Sequence, residues 1–356
     1  MGHVSYSAGA PIQNSWWTDT YAHYGVRIFF VLSGFLITTL LERERHKTGR
    51  INLKQFYIRR AFRILPVAYV YLVVTVFLFY RSFTVRELAL AFTYLSSYAV
   101  DLPWCLSHLW SLSVEEQFYV VWPLAAAFSV VLSRRVALLA ILVAPCFRFA
   151  MDKHGMPLGA LWYFPSVADS LASGCLLALC QHRLVQFRSY FAWRGFPIIW
   201  AATLSIPVVA YFLSHSESHF LWPLPQLMAR SGITIFNLGI VLCIQSAVVS
   251  PPRILNYAIP VWIGSVSYSL YLWQMLFMNP HVQSWATTFP VNIVLAFLAA
   301  AVSYYAIEQP FLRLRLRLAQ PRRLRTAAVA RLQPYRSRRM SKADEAFAPM
   351  KSGAKP

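Results

Sequence analysis

Along this chain apolar residues gather into long stretches with short polar runs between them, instead of alternating at a period of two. The stretches are about 17 to 25 residues long, enough for a helix rising 1.5 Å per residue to cross a hydrocarbon layer roughly 30 Å thick. Nine of them, roughly 25–42, 64–80, 109–132, 136–150, 166–181, 196–213, 228–249, 258–279 and 290–308, predict spanning helices. A tenth, about 88–100, is shorter and more polar, and is expected to form a re-entrant or interfacial helix. The fold class that follows is all-α, a polytopic transmembrane helical bundle, with a membrane domain over 1–312 and a basic, largely disordered tail over 313–356.

Composition sharpens this picture. The 356 residues are 58% apolar and only 13% charged, which excludes an ordinary water-soluble domain. The formal charge of +20 would suit a nucleic-acid binder, yet the basic residues sit in a few loops and in the tail, where ten arginines lie between Arg313 and Arg339. Lysine and arginine facing anionic lipid account for that charge with no nucleic-acid partner. If the first span runs outside to inside, the basic loops after Glu42, around Arg134, between His182 and Arg194, and at Arg253 share one face with the tail. The weakly charged loops 151–165, 214–227 and 280–289 then face outward. This predicts a multi-pass protein of the inner or plasma membrane with a cytoplasmic C-terminus. It also leaves Met1 outside with no helix before it, so a first helix is expected to be missing. The five cysteines form no CxxC pair and read as small core residues, with no metal site.

Polar and ionisable residues inside the spans are costly and mark candidate chemistry. Arg27 and Ser33-Gly34 lie on the first span; Ser-Gly permits close backbone approach, by a neighbouring helix or by a ligand chain. Arg60 and Arg63, three apart before the second span, share a helix face and could fork a phosphate, or could be ordinary inside-positive anchors. In the segment 108–123, His108 and Ser113 accompany the adjacent carboxylates Glu115 and Glu116. Side chains one apart on a helix diverge by about 100°, so only one comfortably faces the bundle interior. Such a carboxylate suits a proton acceptor or the orienter of a histidine; the alternative is a structural ion pair with an arginine such as Arg27 or Arg148. Asp169 fits a helix cap or a polar contact in a cavity. Glu308, followed by Gln-Pro, is expected to end its helix and pair with basic loops.

In order and spacing, several segments resemble acyltransferase family 3, the integral membrane O-acyltransferases. They are Gly25-Val-Arg-Ile-Phe-Phe-Val-Leu-Ser-Gly-Phe-Leu-Ile, Arg60-Ala-Phe-Arg63-Ile-Leu-Pro, Leu109-Trp-Ser-Leu-Ser-Val-Glu-Glu-Gln-Phe-Tyr, Asp169-Ser-Leu-Ala-Ser-Gly, Ser267-Tyr-Ser-Leu-Tyr-Leu-Trp and Tyr305-Ala-Ile-Glu-Gln-Pro-Phe. The resemblance implies about ten spans, acyl-CoA (acetyl-CoA by analogy) drawn from the cytoplasm, and an acceptor hydroxyl on an envelope carbohydrate or glycolipid across the membrane. It implies an essential histidine, which His3 matches, working as general base or acyl carrier with Glu115 orienting it. Arg60 and Arg63 would then hold the CoA phosphates, the pantetheine arm would pass Ser33-Gly34, and Arg27, His108, Ser113 and Asp169 would be supporting polar groups. Two rivals remain: a transporter or flippase for an envelope lipid or polymer, and an inactive, truncated relative.

Overall fold

A computed structural model of the chain describes residues 5–10, 16–99, 101–156, 162–184, 186, 196–214 and 224–319. No strand occurs among them. The helices are α1 (Trp16–Thr48), α2 (Leu53–Phe79), α3 (Val85–Phe92), α4 (Trp104–Ser107), α5 (Leu109–Phe128) and α6 (Val130–Lys153). They continue as α7 (Phe164–Leu184), α8 (Phe196–Ser214), α9 (Leu224–Val249), α10 (Ala258–Phe277), α11 (Val291–Ser303) and α12 (Gln309–Ala319).

Local chemistry sets the joints. Gly49, at φ +74°, closes α1, and the Asn52 side chain then accepts the Gln55 amide at 3.0 Å to start α2. The Glu44 carboxylate accepts the Asn52 amide at 3.0 Å and pairs with Arg59 at 2.7 Å, so this lower joint is tied on both sides. Between α5 and α6 stands one extended residue, Ser129, whose hydroxyl accepts the Leu132 amide at 3.0 Å. The chain can therefore reverse in a single step.

The bundle is arranged around α7, which packs along α1, α6 and α9, with α8 on α9. On the other side α2 packs with α10 and α12, and α10 with α11. Between these groups α5 touches α1, α2, α6 and α7. The α1–α7 crossing is close because both helices present glycine. A Cβ at Gly34 would stand 2.0 Å from the Leu171 carbonyl oxygen, and one at Gly174 would stand 1.9 Å from that of Val31. Polar groups face inward, with Arg148 and Asp169 almost fully buried, while Phe77, Leu142 and Val302 are exposed. An apolar exterior around a polar interior is the arrangement that lipid favours.

Four helices are by themselves long and apolar enough to cross a membrane: Tyr24–Thr48, Leu53–Ser82, Val130–Met151 and Val291–Leu318. The other spans read from sequence correspond to α5, α7, α8, α9 and α10, of 20, 21, 19, 26 and 20 residues. In α5 and α7 the polar residues are turned into the bundle, which lowers their mean apolarity without exposing charge to lipid.

Three expectations are corrected. The 88–100 stretch is not one helix: α3 stops at Phe92, and a turn and a 3-10 segment at Ser96–Tyr98 follow. The Ser113 hydroxyl accepts the Ser96 amide at 3.1 Å, and Gln117 donates to the Tyr94 carbonyl at 3.2 Å, so α5 satisfies that irregular backbone. Arg134 lies within α6 and not in a loop, and donates to the Leu179 carbonyl at 3.1 Å. Glu308-Gln-Pro does not end its helix. A π-helical turn over Tyr304–Glu308 joins α11 directly to α12, with the Gln309 amide bonded to the Tyr304 carbonyl. That wider turn accommodates Pro310, which lacks an amide hydrogen. Helix thus continues past 312 to Ala319; the rest of the basic tail lies outside the described residues.

Candidate active site

Residues 108, 111, 115 and 119 are spaced by three, four and four on α5, so they line one face over about 16 Å of helix. That face is polar from end to end and meets α1, α2 and α10. At its centre both Ser33, on α1, and Tyr119 donate hydroxyl hydrogen bonds to one carboxylate oxygen of Glu115. The two hydroxyls lie 3.1 Å apart, and all three side chains are buried. One carboxylate oxygen thus accepts from two neutral hydroxyls, which supply hydrogen bonds that burial would otherwise remove. The ion-pair alternative is corrected, since among the described residues no arginine nitrogen lies within 4.0 Å of the Glu115 carboxylate.

At the lower end of the face the Arg60 guanidinium lies over the Tyr119 ring at 5.3 Å and the Phe56 ring at 5.7 Å. It interacts electrostatically with both Glu115 and Glu116. Glu116 points away from its neighbour, as helix geometry requires, and its buried Oε1 has no hydrogen-bond partner among the described residues. Arg63, one turn further, is exposed, and among the described residues neither Arg60 nor Arg63 has a carboxylate within 4.0 Å. Arg60 therefore packs on aromatic rings beside α5, whereas Arg63 is open to the surroundings.

At the upper end the His108 ring is buried, 5.5 Å from the Tyr71 ring and 5.1 Å from that of Tyr271. The Tyr271 hydroxyl donates to the His108 carbonyl and lies 2.6 Å from the Ser111 hydroxyl. Ser113 faces the other side of α5, where it supports the irregular segment already described, away from Glu115. His3 lies outside the described residues.

A second polar cluster sits across α1. Asp169 is an interior residue of α7, not a cap, because that helix begins five residues earlier. It pairs with Arg148 at 3.0 Å and accepts the Thr234 hydroxyl at 2.7 Å. Arg27 is buried beside them and interacts electrostatically with Asp169 and Arg148, with its Nη1 unpartnered among the described residues. Asp169→Asn is expected to destabilise the fold by about 3–5 kcal/mol, because it leaves Arg148 buried without its counter-charge. Thermal unfolding in detergent would measure this, and an unchanged midpoint would count against it. Gly34 meets the α7 backbone, so the close approach it permits is that of a helix. The sequence reading missed Tyr119 and Tyr271; the i+4 spacing from Glu115 was a signal for the first, whereas no local spacing points to the second.

A family model described as an acyltransferase domain matches residues 1–308. The chain belongs to acyltransferase family 3. It is 29% identical to the peptidoglycan O-acetyltransferase OatA of Listeria monocytogenes, over 80% of this chain and 50% of that protein. It is 30% identical, over 80% of this chain and 50% of the relative, to YrhL of Bacillus subtilis, whose name assigns the same activity provisionally. A provisionally named O-acetyltransferase of Staphylococcus aureus is 27% identical over 81% of this chain and 52% of its own length. The chain thus spans about half the length of these family 3 relatives. No solved structure matches it.

Proposed function

We propose that this chain transfers an acyl group, acetyl by analogy with the names of its relatives, from cytoplasmic acyl-CoA to a hydroxyl of an envelope glycan of the peptidoglycan kind. The observation that carries the reading is the polar face of α5, which runs from Tyr119, under the Arg60 guanidinium, through the Glu115 hydroxyl cluster to His108. The inside-positive distribution of charge supports a cytoplasmic lower end and C-terminus in the inner or plasma membrane.

In this reading Arg60 and Arg63 hold the donor phosphates and the thioester reaches up the α5 face. The acceptor oxygen attacks the thioester carbonyl carbon, the C–S bond breaks, and the hydroxyl proton passes through a base to the leaving thiolate. The family resemblance assigns that base, or a transient acyl carrier, to His3, with Glu115 orienting it. Because Glu115 is already fixed by Ser33 and Tyr119, it is pre-organised and does not have to be ordered during turnover. Arg27, His108 and Asp169 support the surrounding polar structure.

Transfer of radiolabelled acetyl from acetyl-CoA to envelope glycan tests the reading in membranes containing the chain. Arg60→Gln and Arg63→Gln are each expected to raise the donor KM about tenfold, the effect of losing one charge-assisted contact of roughly 1.4 kcal/mol, with smaller effects on kcat. His3→Ala is expected to abolish transfer and leave donor binding intact. Normal labelling by His3→Ala would overturn the catalytic assignment, and envelope-lipid movement without acyl-CoA consumption would favour a transporter.

A further inference from the structure

Above the α5 face the bundle opens into a cleft of about 480 Å³, between the N-terminal residues 5–8 and the connection from α10 to α11. Its size falls within the roughly 300–1,000 Å³ of small-molecule sites. Tyr6, Ser7, Asn279, Gln283, Ser284 and Thr287 supply its polar lining. No charged side chain stands among the described lining residues.

The walls are fixed from behind. Asn292 donates to the Ser7 hydroxyl at 2.7 Å, and the Phe289 amide donates to the Ala8 carbonyl at 2.9 Å, fastening the N-terminal segment to α11. The Thr287 hydroxyl donates to the Val282 carbonyl at 2.6 Å. Gln283, by contrast, is exposed on the cleft and its carboxamide makes no hydrogen bond among the described residues. The cleft is also joined to the chemistry below it. The Tyr6 ring meets Trp104 edge-on at 5.5 Å, and Asn279 donates to Cys105 Sγ at 3.5 Å; both contacts lie on α4, the turn that leads into His108. Trp285 stands 74% exposed on the same connection.

We propose that this cleft binds an uncharged sugar ring, the acceptor of the transfer reaction, and so deepens the function proposed above, on which it rests. Hydroxyl and carboxamide groups exchange hydrogen bonds with ring hydroxyls and acetamido groups, and the Tyr6 ring on the cleft offers an aromatic surface to the sugar. The described lining has no cation to offset the desolvation of a phosphate or carboxylate, so anionic glycans are disfavoured here. The donor and acceptor then occupy opposite ends of the α5 face, with opposite electrostatic requirements.

Binding of N,N′-diacetylchitobiose to the purified full chain, followed by saturation-transfer NMR, tests this independently of catalysis. The wild-type chain is expected to bind it, Gln283→Ala to weaken binding about tenfold, and Gln283→Trp, which fills the cleft from an exposed position, to abolish binding. A hyaluronate tetrasaccharide, which carries carboxylates, is expected to bind at least about tenfold more weakly. Failure of the wild type to bind the neutral sugar, binding unaffected by Gln283→Trp, or equal binding of the anionic oligosaccharide would each overturn the proposal. Acetyl transfer is measured on the same preparation. If transfer is absent while the sugar binds as expected, the proposed reaction fails and the sugar cleft stands.

Discussion

Replacing Glu115 by glutamine is expected to lower acyl transfer by at least about a hundredfold, within the range typical of a lost acid-base or orienting group, while the chain still accumulates in the membrane. The amide keeps the size of the carboxylate but turns one acceptor into a donor. Ser33 and Tyr119, which both aim hydroxyl hydrogens at the same oxygen, then face a group whose second position can only donate. Ser33→Ala and Tyr119→Phe each remove a single donor and are expected to cost less than Glu115→Gln. Initial rates with labelled acetyl-CoA, normalised to protein in the membrane, give the ranking. If Glu115→Gln kept wild-type activity, the carboxylate would be a structural group only, and the α5 face would lose its central member.

The second large effect falls on folding. Gly34→Ala and Gly174→Ala each insert a Cβ about 2 Å from a backbone carbonyl oxygen of the facing helix, where a side chain cannot yield. The crossing has to open, at a cost of at least about 1–3 kcal/mol per substitution. The double variant is expected to lose less than the sum, because both methyl groups act on one interface that the first has already widened. Cys175 reports on this directly. Its buried thiol donates to the Gly34 carbonyl at 3.6 Å, so modification by a thiol reagent during heating should begin at lower temperature in either variant. Labelling of Cys175 that matches the wild type would show that the crossing tolerates the methyl group.

What the sequence discloses and what it hides follow from physical range. Ser33, Glu115 and Asp169 stand out because charge and hydroxyl in an apolar stretch demand an explanation, and Arg60 stands out by its spacing from Arg63. Their partners do not stand out, since Ser33 is 82 residues from Glu115 and Tyr271 is 163 residues from His108. Ser113, two residues from Glu115, must face the opposite side of a helix, whereas Tyr119, four residues on, must share its face. The basic joint after α1 is legible because lipid electrostatics act on composition. By contrast, the division of labour there is tertiary: Arg59 is bound to Glu44 while Arg60 lies over aromatic rings. The end of the last span was misjudged because Pro310 is a strong local stop signal, and no residue pattern announces a π-turn that cancels it.

That turn makes chain length, more than composition, the sensitive variable of the last helix. The inward stripe runs through Asn292, Ala296, Ala300 and Ser303, at steps of four, four and three, and then resumes at Glu308, five residues on. The extra residue acts as a phase shift. It brings the Glu308 carboxylate to the Ser269 hydroxyl at 3.3 Å, and every arginine of α12 inherits the new phase. A single deletion between 304 and 308 would restore one continuous rhythm and rotate Glu308 and α12 by about 100° relative to the bundle. Homologous chains that keep every residue type of this segment but differ in its length by one would therefore carry the same letters on a differently pointed helix.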